Sequence, residues 1–257
     1  MDPVFLGFLA SLAAGLVTSV GALPVLFGKD ISPRVNDAML GFAAGVMLAA
    51  SFFSLIIPGF EVAKTIFAQH WIAALVVTAG VLLGATFVGL LNEIVPHEHF
   101  MQGREGPELA EVGRVWLFVL AITIHNLPEG LAVGVGFGDG AIASGAMLAT
   151  GIGLQNAPEG LAVALALLSI GYSRGKAFAI AALTGLVEPV TGLMGAYAVS
   201  FSRLLMPWAM AFAAGAMIYV ISHEIIPETH RHGSQTTATF GLMIGLAIMM
   251  LLDLAFS

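Results

Sequence analysis

The sequence predicts an all-α integral membrane protein with eight transmembrane helices. Three observations predict it. The 257 residues are 58% hydrophobic and only 10% charged, whereas a soluble domain carries about 25% charged residues. Eight apolar runs are each long enough to cross a bilayer, which takes about 20 residues. The polar links between the runs are short, so 1–257 reads as one transmembrane domain.

The composition also excludes some functions. There is no basic patch of the kind that binds nucleic acid. With no cysteine, disulfides and thiolate metal sites are both ruled out. The formal charge of -7 says little about partners, because several of the acids lie inside apolar runs. Met1-Asp2-Pro3 lacks the basic start of a secretory signal, and the run behind it is long enough to span. It is therefore read as a retained helix.

In chain order the spans are 4–27, 38–60, 71–92, 115–138, 141–170, 176–201, 204–225 and 236–256. The third loop, 93–114, is the longest and most polar and carries His97 and His99. The link at Gly138-Asp139-Gly140 is so short that helices four and five must form an antiparallel hairpin. Orientation follows from the bias of Lys and Arg toward the cytoplasm. Lys29, Arg34, Arg104, Arg114, Arg174, Lys176 and Arg231 fall in odd-numbered loops, and only Lys64 and Arg203 in even-numbered ones. The odd loops are thus expected in the cytoplasm and both termini outside.

Two repeats are written into this frame. Phe42-Ala43-Ala44-Gly45-Val46-Met47 of helix two returns as Phe212-Ala213-Ala214-Gly215-Ala216-Met217 of helix seven. Ile56-Ile57-Pro58 returns as Ile225-Ile226-Pro227, with one residue fewer between. Helices two and seven run in opposite directions, so helices 1–3 and 6–8 form an inverted repeat around the central 4–5 hairpin. Inverted repeats with interrupted helices are a transporter signature. The second repeat is more local. His125-Asn126-Leu127-Pro128-Glu129-Gly130-Leu131-Ala132-Val133 is followed 30 residues later by Gln155-Asn156-Ala157-Pro158-Glu159-Gly160-Leu161-Ala162-Val163, identical at seven of nine positions.

The chemistry lies in this second repeat. Glu129, Glu159 and Glu188 sit deep in apolar runs with no Lys or Arg beside them. Each costs about 3 kcal/mol on insertion scales unless paired or hydrated. The partner must be a proton, a cation or another of the three. Residues three or four apart share a helix face, so His125 and Asn126 each align with Glu129, and Gln155 and Asn156 with Glu159. Two such helices face to face offer two adjoining metal pockets. One comprises His125, Glu129, Gln155 and Glu159. The other comprises Asn126, Glu129, Asn156 and Glu159, and Glu188 of helix six can close either. Pro128, Pro158 and Pro189 adjoin the three glutamates and free the carbonyls of Ile124, Leu154 and Gly185. Imidazole, carboxylate and amide oxygen together suit Zn²⁺, Cd²⁺, Fe²⁺ or Mn²⁺. Met47, with Met217, is a further candidate contact. His223, Glu224 and Glu228 at the end of helix seven, with His97, His99, His230 and His232 in the loops, read as an exit path or metal-collecting surface. Asp253 and Glu61 read as interfacial charges.

The phrase His125-Asn126-Leu127-Pro128-Glu129-Gly130, its partner in helix five, and Glu188 in helix six resemble those of the ZIP (Zrt-/Irt-like protein) metal transporters, in the bacterial GufA-like branch. The resemblance covers essentially the whole chain. It implies uptake of zinc-like divalent ions into the cytoplasm, with the ion bound as substrate and no resident cofactor. It also implies a homodimer in a plasma membrane, the bacterial inner membrane for this branch, and an elevator movement of helices one, four, five and six against two, three, seven and eight. The chain departs from the commoner pattern at Gln155, where histidine is frequent, and at Asn156, where close relatives can have aspartate. The three carboxylates leave net -1 with one divalent ion and net +1 with two. The same residues would also serve an intramembrane metal-dependent hydrolase or a proton-coupled carrier of another substrate. The hydrolase would lack a His-Glu-x-x-His motif.

Overall fold

The computed structural model describes residues 2–28, 31–94, 97–99, 103–105, 111–137, 142–230 and 233–256. Within these it describes the side chains other than those of 92–94, 97–99, 103–105, 111–114, 117, 125 and 256. Among the described residues eight helices are long and apolar enough to cross a membrane. They are α1 (Pro3–Phe27), α2 (Pro33–Ile66), α3 (His70–Ile94), α4 (Glu111–Phe137), α5 (Ile142–Ser169), α6 (Arg174–Phe201), α7 (Leu205–Thr229) and α8 (Gln235–Phe256). In the third loop β1 (His97–His99) pairs antiparallel with β2 (Gly103–Glu105), His97 opposite Glu105. The link at 138–140 and His232 lie outside the described residues.

Local chemistry sets the helix starts. Asp2 accepts from the Val4 amide at 3.0 Å and Pro3 follows it. Ser32 caps α2 through the Val35 amide, with Pro33 behind it. Proline at the first helical position loses no bond, because that N–H has no intrahelical partner. The α2 helix outlasts the 38–60 expected. It continues to Ile66 because Ala50–Ile56 takes a wider π turn ahead of Pro58. The turn absorbs the proline where an α turn would clash. The α7 helix repeats the device, with a π segment at Ile221–Ile225 ahead of Pro227.

The packing shows what the inverted repeat does. The α2 helix lies along α8, and α3 along α7; α1 lies along α5, and α4 along α6. A two-fold relation exchanging 1 with 6, 2 with 7, 3 with 8 and 4 with 5 requires these pairs. The first two contacts use equivalent glycines. A Cβ on Gly84 of α3 would run into the Phe212 carbonyl, and one on Gly245 of α8 into the Phe42 carbonyl. Gly80 and Gly241 stand four residues before them, so each contact carries a small-xxx-small stripe that lets backbones touch.

The buried core has three parts. One takes its buried residues from α1, α4, α5 and α6, around Val25, Ile122, Leu161 and Ala181, with Met39 of α2 packed against it. A small one is built only from α2, α3 and α7, around Ala63, Val77 and Ala211. The largest joins the two sets and holds Met47 and Met217, both fully buried. Trp71, Leu82 and Leu83 on α3 and Phe240 and Leu251 on α8 face outward. Such side chains suit lipid, which lets apolar surface stay on the outside.

Candidate metal centre

Three helices carry the sequence-predicted donors to one place. In α4 and α5 the helix continues straight through Pro128 and Pro158. Only α6 is interrupted. Its first half ends at Gly185, and a second begins at Glu188 with Pro189 behind it. Glu188 thus stands at the positive end of a half-helix, where a negative side chain is favoured. Asn126, Glu129, Gln155, Asn156, Glu159 and Glu188 are each 0–1% exposed. Glu129 and Glu159, and Glu159 and Glu188, lie within electrostatic reach of each other.

Amides hold the carboxylates. The Gln155 NH2 donates to Glu129 Oε1. The Asn156 NH2 donates to Glu188 Oε1 at 2.7 Å and to the Ala14 carbonyl of α1 at 2.9 Å. The Asn126 NH2 donates to the Thr184 carbonyl of α6 at 2.9 Å. The two asparagines therefore do the same thing on opposite sides of the pseudo-two-fold. Each clasps the backbone of the other repeat's first helix, one residue before a glycine. Those glycines, Gly15 and Gly185, form the crossing of α1 and α6. A Cβ on either would strike the carbonyl of the other.

With their donors so committed, Asn126 Oδ1, Glu129 Oε2, Gln155 Oε1, Asn156 Oδ1 and Glu188 Oε2 remain buried with no hydrogen-bond partner. Buried oxygens are normally satisfied. Five of them on α4, α5 and α6 make an electron-rich lining that a cation would satisfy. Among the described residues no three His, Asp or Glu side chains converge as a cage by themselves; the amide oxygens beside the carboxylates are further donors that a cation could use. His125 lies on α4 one turn before Glu129; its side chain is outside the described residues.

The remaining predicted positions are carried by other elements. His223 and Glu224 are in the π segment of α7, half-buried, with the His223 ring 5.0 Å from that of Tyr219. Glu228 and His230, also half-buried, occupy the end of α7. His97 and His99 are on β1, and their side chains are outside the described residues. Glu61 pairs with Lys64 at 2.6 Å, as an interfacial charge should. Asp253 does not fit that expectation. It is buried, and the Ser54 hydroxyl donates to both its oxygens at 2.8 and 3.0 Å. Sequence reasoning also passed over Thr18 of α1, which is 1% exposed with an unpartnered hydroxyl. The repeat held the signal: Thr18 stands to Gly15 as Glu188 stands to Gly185.

Comparison with known proteins places these features in context. The family model described as ZIP Zinc transporter matches residues 97–253. The zinc transporter GufA of Myxococcus xanthus is 47% identical over 249 residues, covering 97% of this chain and 98% of that protein. The zinc transporter ZIPB of Bordetella bronchiseptica is 53% identical over 250 residues, covering 97% and 80%. The human zinc transporter ZIP11 is 35% identical over 331 residues, covering 97% of each.

Proposed function

Because the chain belongs to the ZIP zinc transporter family, and so is a metal-ion transport protein of the membrane rather than an enzyme, we propose that it carries zinc into the cytoplasm through the centre between α4, α5 and α6. The observation that carries this reading is the set of six polar side chains, each at most 1% exposed, with no basic residue among them. Intramembrane acids of this kind are functional by default. Zinc suits the mixture of imidazole, carboxylate and amide oxygen, as do Cd²⁺, Fe²⁺ and Mn²⁺.

The main pocket takes His125, Glu129, Gln155 and Glu159, and Glu188 can close either pocket. The pocket of Asn126, Glu129, Asn156 and Glu159 is auxiliary, because both asparagines offer only a neutral oxygen. Transport is by elevator motion of α1, α4, α5 and α6 against α2, α3, α7 and α8. That the buried residues of two clusters come from one or other of these sets, with Met39 of α2 packed against the first, supports the division. The loop charges support outward termini, with His223, Glu224 and Glu228 on the cytoplasmic exit, and the family likeness supports a homodimer. The test is zinc flux into proteoliposomes over a panel of divalent metals. Glu129→Gln and Glu159→Gln should each abolish flux in protein that still folds and inserts. Normal zinc flux in both variants refutes the reading.

A further inference from the structure

The centre is built on a two-fold relation, but its acids are not. The asparagine clasps obey the symmetry, Asn156 to Ala14 and Asn126 to Thr184. So does the glycine crossing of Gly15 and Gly185. The helix packing obeys it again at the next step. A Cβ on Gly130 would meet the backbone of Glu188, and a Cβ on Gly160 would meet the backbone of Thr18. Each of these glycines directly follows a centre glutamate. Where α6 places Glu188, α1 therefore places Thr18.

The Thr18 hydroxyl behaves unlike its neighbours. Ser11, Ser51, Thr123, Thr150 and Thr184 all donate to a carbonyl three or four residues back in their own helix. This back-bond is the ordinary way to satisfy a hydroxyl inside a helix. Thr18 Oγ1 makes no such bond and is fully buried. It points at α6, only 2.7 Å from where a Cβ of Gly185 would lie, one turn ahead of Glu188. A back-bonding threonine would be a packing residue; this one leaves its hydroxyl uncommitted on the side that faces α6.

The geometry points to Thr18 as a further positioning residue of the transport centre, whose hydroxyl donates to the Glu159–Glu188 carboxylates in the ion-loaded state. A neutral donor on the side opposite Glu188 stabilises those carboxylates without adding a fourth negative charge. The inference rests on the metal-transport reading. It is tested by zinc titration of the purified protein against a competing chelator, together with zinc uptake in proteoliposomes, for wild type, Thr18→Val and Thr18→Ser. Valine keeps the shape and removes the hydroxyl. It should raise Kd and KM about tenfold, equivalent to about 1.4 kcal/mol, with the maximal rate and Tm close to wild type. Serine should bring both back close to the wild-type values. Unchanged Kd and KM in Thr18→Val overturn the inference, as does equal impairment by serine and valine, which would mark a packing role. If Thr18→Val fails to accumulate, Thr18→Ala is read against Thr18→Ser in the same way. A wild-type protein that binds no zinc would sink the transport reading itself, whereas wild-type zinc binding with an indifferent Thr18→Val sinks only this inference.

Discussion

The crossing of α1 and α6 gives the sharpest test of how packing sets the centre. Gly15→Ala adds one methyl group at the point where the two backbones touch. That carbon would lie 3.1 Å from the Gly185 carbonyl carbon and overlap its oxygen outright. Carbon atoms rest about 3.5–4.0 Å apart, so the helices must part by about 1 Å. One nitrogen registers the change directly. Asn156 Nδ2 bonds the Ala14 carbonyl on α1 at 2.9 Å and Glu188 Oε1 on α6 at 2.7 Å. It cannot keep both when the helices separate. A lost bond to a charged group is worth about 1.5–3 kcal/mol, or roughly tenfold to a hundredfold in ion affinity. Zinc titration of the purified variant measures that loss, and thermal unfolding in detergent measures the accompanying destabilisation. Gly175→Ala on α6 is the control. Nothing lies within 4 Å of its added carbon, and alanine in a helix is about 1 kcal/mol better than glycine, so its affinity should be unchanged. Wild-type zinc affinity in Gly15→Ala would refute the argument that this contact positions the carboxylates.

Two further outcomes follow from the same geometry. Asn156→Asp adds a carboxylate to the auxiliary pocket and should raise the zinc stoichiometry of the purified protein above that of wild type, as measured by metal analysis after gel filtration; an unchanged ratio removes Asn156 as the limiting residue. Ser54→Ala strips both hydrogen bonds from the buried Asp253 and should lower stability by about 1–3 kcal/mol, a loss that the double variant Ser54→Ala/Asp253→Leu recovers in large part; a neutral Ser54→Ala would show that this pair does not pin α2 to α8.

What the sequence made legible was whatever repeats or alternates along one helix. The eight spans came from apolar length, and the convergence of Glu129, Glu159 and Glu188 from their isolation among apolar residues. The asparagines were seen as donors on a helix face, but their clasps on Ala14 and Thr184 were not, because a backbone carbonyl leaves no mark in a sequence. Asp253 was misjudged for a related reason. Its partner Ser54 lies 199 positions away, and nothing near Asp253 announces a buried donor. The π turns were invisible too. The expected spans 38–60 and 204–225 stop close to Pro58 and Pro227, since a residue pattern does not reveal that the preceding turn can widen to absorb them. The stripe of Gly80 and Gly84, and its copy at Gly241 and Gly245, was present in the letters but carries no meaning until the two-fold relation pairs α3 with α7 and α8 with α2.

That relation explains why the centre is lopsided. Two-fold packing needs only small residues at the crossings and amides that clasp backbone, and these are kept on both sides: Gly15 with Gly185, Asn156 with Asn126. Ion binding makes the opposite demand. A strictly symmetric centre would repeat Glu188 at position 18 and place four carboxylates together, leaving net -2 around one divalent ion, at about 3 kcal/mol for each uncompensated charge at membrane depth. Threonine at 18 and histidine at 125 against glutamine at 155 break the symmetry where charge and ligand type matter. Each replaces one donor while leaving the helix contacts alone. On the proposed reading, three carboxylates around one ion would leave net -1, and protons would compete with the ion for them.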